Sequence, residues 1–130
     1  MRDASPLVRT DFSSDEKWRH AVAMATAETS EGFRAELEIV EDPSLDAKPI
    51  AALSSDQRWN GARVLFVVDG HTLEDCECSI ACVDLAARPG RSFRSIPSAL
   101  WGVENNIRLA NMDFDEFADE VGEDGIFRGF

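Results

Sequence analysis

Apolar positions along this chain fall into two rhythms, one of period two and one of three to four, with a continuous apolar run between them. Leu7-Val8-Arg9-Thr10-Asp11-Phe12 reads as an opening strand. Ser13 and Glu16 stand as a capping box, and Trp18, Val22 and Ala25 then trace a helix face running to about Glu28. Glu31-Gly32 turns the chain. Phe33, Ala35, Leu37 and Ile39 alternate with Arg34, Glu36 and Glu38, predicting a strand with one face on a core and one in water. Glu41-Asp42-Pro43 ends it. Residues 44 to 61 show little periodicity beyond a short helix from Pro49 to Leu53, and Trp59-Asn60-Gly61 reads as a loop returning to the sheet. Val64 to Val68 is unbroken and β-rich, which marks a central strand buried on both faces.

Asp69-Gly70 turns out of that strand, and a polar link leads to a further strand over Ser79 to Leu85. Arg88-Pro89-Gly90-Arg91 is turn chemistry, with Ser92 to Ile96 pairing back as a hairpin partner. Ser98 then caps a helix whose buried face is Leu100, Val103, Ile107 and Ala110. A second helix starts at Asp113, with Glu116 as its capping-box partner, Phe114, Phe117 and Val121 as its stripe, and Gly122 as its stop. Ile126, Phe127 and Phe130 are expected to dock on the body. The order β-α-β-(α)-β-β-β-α-α predicts one domain over residues 1–130, a mixed sheet of about five strands with helices packed on it. It leaves α/β and α+β both open.

Composition narrows the function classes. An apolar share of 44% over 130 residues supports a real core, and a net charge of −12 opposes binding to a nucleic-acid backbone or an anionic membrane. The same charge suits a basic protein partner. Met-Arg-Asp-Ala-Ser-Pro opens no signal peptide, and no apolar run approaches a membrane span. Cys76, Cys78 and Cys82 make an odd count, expected as reduced thiols in the cytoplasm.

One stretch breaks its own local rule. Glu104-Asn105-Asn106 lies inside the predicted helix that begins near Leu100, although Asn competes for backbone hydrogen bonds there. Either an amide satisfies a neighbouring loop, or Trp101, Glu104, Asn105, Asn106, Asn111 and Asp113 form a polar binding patch beside an exposed Trp. Leu100-Trp101-x-Val103-Glu104-Asn105-Asn106, continuing through Ala110-Asn111-Met112-Asp113-Phe114-x-Glu116-Phe117, resembles a motif of a bacterial family of small uncharacterised proteins. Leu7 to Asp15, Phe66-Val67-Val68-Asp69 and Asp124 to Phe130 carry the same resemblance, which leaves out residues 74 to 82. That family is a domain of unknown function, so the resemblance implies no activity.

Chemistry-bearing groups are sparse. Asp11, Asp69 and Asp84 each end a predicted strand, and would converge on one sheet edge if those strands ran parallel. Such a cluster could hold Mg²⁺ or act as acid and base; the competing reading is that each Asp caps a turn. His71, Cys76, Cys78 and Cys82 match zinc-ligand spacing poorly, so no metal and no cofactor is assigned. His20 and His71 have no nucleophile at a recognisable spacing, and no glycine-rich phosphate loop is present. The run Asn111 to Asp124 holds seven acids and no base, a solvated face or a docking surface. The favoured expectation is a non-catalytic acidic module that binds a basic protein or a second copy of itself. A small metal-assisted enzyme using the strand-end carboxylates is the alternative.

Overall fold

Three neighbouring strands are buried along their whole length: β1 (Ser5–Arg9), β3 (Val64–Val68) and β4 (Ile80–Asp84). The computed structural model describes residues 2–130, so Met1, the first residue of the stretch read as lacking an export signal, lies outside the described residues. β2 (Leu37–Val40), β5 (Ser92–Ser95) and β6 (Ile126–Phe127) complete a six-stranded sheet in the order β2-β1-β3-β4-β5-β6. β2 and β3 run parallel to β1, β4 is antiparallel to β3, β5 is antiparallel to β4, and β6 is parallel to β5. The sheet is therefore mixed, with one strand more than the hydrophobic pattern predicts.

Both faces are covered, which places the chain in the α/β class. On one face lie α1 (Asp15–Thr26), α4 (Leu100–Arg108) and α5 (Phe114–Ala118), whose Trp18, Ala21, Leu100, Ile107 and Phe117 pack on Leu7, Phe66 and Ile80. On the other face lies the stretch from 43 to 61, with α2 (Ile50–Ser54) flanked by single 3-10 turns at Pro43–Leu45 and Gln57–Trp59. Its Leu45, Leu53 and Trp59 cover Val8, Leu65, Val67 and Val83, and the Trp59 indole N–H donates to the Leu53 carbonyl. The least periodic part of the sequence is thus the entire second layer, held by three widely spaced apolar anchors.

Local chemistry sets the element ends. Ser14, one residue later than the pattern suggests, caps α1 by accepting from Lys17 N, because Ser13 is engaged with Asp11. The predicted strand from Phe33 shortens to Leu37–Val40, since Thr29 and Phe33 exchange hydrogen bonds in a loop. Asp69-Gly70 is not a simple turn. Asp69 caps a short helix α3 (Gly70–Glu74) through Thr72, a box that a search for Glu or Gln at that position misses. A 3-10 turn at Pro97–Ala99 leads into α4, so Ser98 makes no cap, and Ala110 leaves the buried face at a φ of 59°. No helix among the described residues is long and apolar enough to cross a membrane.

Candidate functional site

The connection from β1 to β2 crosses one face of the sheet through α1, and that from β2 to β3 crosses the other through the stretch from 43 to 61. β1 and β3 are adjacent and parallel, so their carboxyl ends form a topological switch point, where open α/β sheets hold ligands. A cleft of about 580 Å³ lies there, lined by Asp11, Phe12, Asp46, Lys48, Asp69 and Gly70. Asp11 and Asp69 do meet across it. A Cβ on Gly70 would stand 3.1 Å from Asp11 Oδ2, so glycine is what lets the two loops approach.

Both strand-end carboxylates in the cleft already hold hydrogen bonds within the chain. Asp11 Oδ1 accepts from the backbone N–H and hydroxyl of Ser13, which hold its carboxyl below the usual range against the opposing pull of burial and of Asp69. Asp69 accepts from the Thr72 backbone and hydroxyl and takes both arms of the Arg94 guanidinium, at 2.8 and 3.1 Å. Burial pushes the Asp69 carboxyl up, but Arg94 and Thr72 outweigh it and the net shift is downward. Beneath the cleft, buried Arg9 pairs with Glu41 and Asp15, donates to the Asp11 carbonyl, and lies against the rings of Phe12 and Trp18.

Asp84 does not join them. Because β4 runs antiparallel to β3, Asp84 pairs with Val64 at the opposite edge, where it accepts from the N–H groups of Ala86, Ala87 and Arg88. The expected convergence of Asp11, Asp69 and Asp84 therefore reduces to one pair and one turn cap. Among the described residues no three His, Cys, Asp or Glu side chains gather so as to hold a metal ion. Cys76 is exposed, while Cys78 and Cys82 are buried, and burial pushes both of those thiols up.

The patch on α4 divides in two. Glu104 is fully buried: Oε2 accepts from Ser5 Oγ and Arg108 Nε, both at 2.7 Å, and Oε1 from Glu36 N and Asn105 Nδ2. Asn105 also donates to the Arg34 carbonyl. Glu104 and Asn105 thus fasten α4 to β1 and to the loop before β2, and Glu104 is withdrawn from any contact surface. The expectation that an amide ties down a loop holds for Asn105. Asn106 donates back to the Gly102 carbonyl, and its own carbonyl accepts from Asn111 and Met112. Asn111 is exposed, and Asp113 is the N-cap of α5, with Glu116 accepting from its backbone N–H.

Trp101, expected to be exposed, is half-buried. Its ring stacks on exposed Phe33 with centroids 4.6 Å apart and 11° between planes. On its other side it walls a groove of about 240 Å³ with Gly102, Asn106, Phe117, Phe127 and Phe130. Phe130 packs on Phe117 and Phe127 yet stays 78% exposed. Phe33 and Phe130, both exposed, thus lie on either side of Trp101, one stacked on its ring and the other in the same groove lining. The alternation from residue 33 predicts Phe33 on a core-facing strand, and no signal in the sequence couples it to Trp101.

These features define a doubly covered α/β domain with a mixed sheet, a switch-point cleft and an aromatic groove. The chain belongs to the family described as a domain of unknown function (DUF6924), whose model matches residues 4–130. No curated protein matches it.

The Asp69–Arg94 pair sets an acid response. A carboxyl depressed on folding stabilises above its unfolded pKa, and that contribution is lost as pH falls through the folded value. The thermal midpoint should therefore drop as pH is lowered from about 5 to about 2. Asp69→Asn should lower the midpoint at neutral pH and flatten this drop, and parallel wild-type and variant curves would contradict the assignment.

Proposed function

We propose that this protein is a non-catalytic interaction module that engages a basic protein through the aromatic surface around Trp101. The observation that carries this reading is the stack of Trp101 on exposed Phe33 beside an apolar groove. Interface hot spots are enriched in Trp, and Trp101 lines a groove with exposed Phe33 stacked on its ring. Charge supplies the partner's sign. Among the described residues every Lys and Arg except Arg19, Lys48 and Arg63 is ion-paired within the chain, so few free cations offset the net charge of −12. A second copy would bring the same repulsive charge, which favours a different, basic partner. We place the protein in the cytoplasm, a reading supported by three unbridged cysteines.

The cleft sustains a second reading, a small-ligand or metal-assisted site using Asp11 and Asp69. Its volume of about 580 Å³ lies in the range of small-molecule pockets. Against it, Asp69 is consumed by Arg94 and Thr72, and Asp11 is engaged by the Ser13 backbone and hydroxyl.

Capture from an extract of the source organism tests the leading reading. Immobilised wild-type protein should retain a partner that Trp101→Ala loses by at least about 30-fold, the effect of truncating a hot-spot anchor. A Trp101→Ala variant that is folded and captures equally, or a wild type that captures nothing, would overturn it.

A further inference from the structure

Three arginines, Arg2, Arg63 and Arg108, line one depression of about 210 Å³ beside the start of β1, and no carboxylate shares its lining. That is unexpected in a chain where acids outnumber bases by 25 to 13. The rest of the lining is Ala4, Gly61, Ala62 and Ser5, whose hydroxyl is donated inward to Glu104, so the guanidinium groups are its recognition chemistry. The acids nearby are already placed. Fully buried Glu104 pairs with Arg108. Glu38 pairs with Arg2, and with Asp3 it lines the neighbouring depression that shares Arg2 and Ala4.

The fold uses these arginines unequally. Arg2 spends Nε, Nη1 and Nη2 on the Asn60 carbonyl, Glu38 and the Arg58 carbonyl. Arg63 donates from Nε to the Ile107 carbonyl at the C-terminal end of α4, and Arg108 donates from Nε to Glu104. Those two bonds satisfy a helix-end carbonyl and a buried charge. They leave both Nη groups of Arg63 and of Arg108 without a protein acceptor among the described residues. Arg108 is mostly buried, yet its Nη groups are not among the sealed, unpartnered polar atoms of the described residues, so they open to solvent. Fixed at Nε and free at Nη, each guanidinium is a preorganised fork, the geometry that grips oxyanions. Because Arg63 is tied to the residue before Arg108, the two forks are held side by side.

We propose that this arginine pocket binds a small tetrahedral oxyanion, either a phosphate ion or the phosphate group of a small phosphomonoester. The number of acceptor oxygens decides the class. A carboxylate offers two oxygens, which one guanidinium fork fills. A phosphate group offers three acceptor oxygens and a charge of about −1.5 to −2 at neutral pH, which suits two forks together. At about 210 Å³ the depression is smaller than the roughly 300–1,000 Å³ of small-molecule pockets, so it takes the anionic group and leaves any organic remainder outside. It shares no lining residue with the Trp101 groove or the switch-point cleft, and the proposal stands apart from the interaction reading.

The test is a titration of nitrogen-labelled full-length protein with sodium phosphate, at fixed pH and at an ionic strength held constant with sodium chloride. The arginine Nε–H resonances and the backbone amides of Ala4 and Ala62 are followed by NMR, with sodium acetate and glycerol phosphate as parallel titrants. Phosphate should shift the Arg63 and Arg108 signals saturably. Arg63→Gln, which keeps a donor for the Ile107 carbonyl, should weaken binding at least about tenfold, read on Arg108 and the amides. Arg63→Lys should fall between, since it keeps the charge and loses the fork. Should Arg63→Gln unfold, Ala4→Glu sets a carboxylate into the lining, with the same loss expected. Equal saturation by acetate would overturn the tetrahedral class. Undiminished binding to folded Arg63→Gln or to folded Ala4→Glu would overturn the location. No saturable shift with either phosphate titrant would overturn the proposal outright. Tighter binding of phosphate than of glycerol phosphate supports the free ion as the ligand, and the reverse order supports a phosphomonoester.

Discussion

Replacing Glu104 by alanine is expected to destabilise the fold by about 3–5 kcal/mol. The carboxylate is fully buried and accepts four hydrogen bonds, from Ser5, Glu36, Asn105 and Arg108, which fills its acceptor sites. Those donors belong to three separate pieces of chain: β1, the loop before β2, and α4. Truncation leaves the Ser5 hydroxyl without a partner in the interior, removes the acceptor of the part-buried Glu36 N–H, and strips Arg108 of its counter-charge. The Arg108 side chain is only 16% exposed, so water replaces little of that loss. Denaturant unfolding of wild type, Glu104→Ala and Glu104→Gln measures this directly. Gln should recover part of the stability, because it keeps the shape but turns one oxygen towards donors as an N–H₂. An alanine variant within about 1 kcal/mol of wild type would show that the carboxylate is not the fastening described.

The second large effect is expected at Arg9, where alanine should cost about 2–4 kcal/mol. Its side chain is 1% exposed, yet its acidic partners Asp15 and Glu41 are 71% and 51% exposed. Those carboxylates can turn to water when the guanidinium goes, so the loss comes mainly from packing against Phe12 and Trp18 and from the donor to the Asp11 carbonyl. Arg9→Met, which restores the buried volume without charge, should therefore cost far less than Arg9→Ala. Equal losses in the two variants would assign the stability to the ion pairs instead. Arg9→Lys should fall between them, since an ammonium cannot reproduce the fork that reaches both acids.

Periodicity made much of this architecture readable. The run Val64 to Val68 is a doubly buried central strand, and the stripe Leu100, Val103, Ile107 packs α4 on the sheet. Glu104 was legible too: it lies on that apolar stripe, four residues after Leu100 and three before Ile107, with Arg108 one turn on. A charged residue on a buried face with an opposite charge at i+4 is the pattern of a fastened ion pair, whereas grouping Glu104 with Trp101 and the neighbouring Asn residues pointed to a surface patch. β6 was not legible, because a two-residue strand has no period, although the expectation that Ile126 and Phe127 dock is met by its burial. Strand direction decided the carboxylate cluster. Asp11 and Asp69 end parallel strands and meet, whereas the antiparallel course of β4 carries Asp84 to the far edge. The stack of Phe33 on Trp101 joins residues far apart in sequence through a loop geometry that side-chain type does not encode.

We propose the aromatic groove, and not the switch-point cleft, as the working surface. Site-specific photo-crosslinking in the source organism tests it most directly, with a benzophenone side chain placed at residue 101, at residue 12 in the cleft, or at exposed residue 51 on α2. A discrete protein adduct from position 101, absent from positions 12 and 51, is the result expected. Adducts from position 12 alone, or none from position 101, would contradict it and return attention to Asp11 and Asp69.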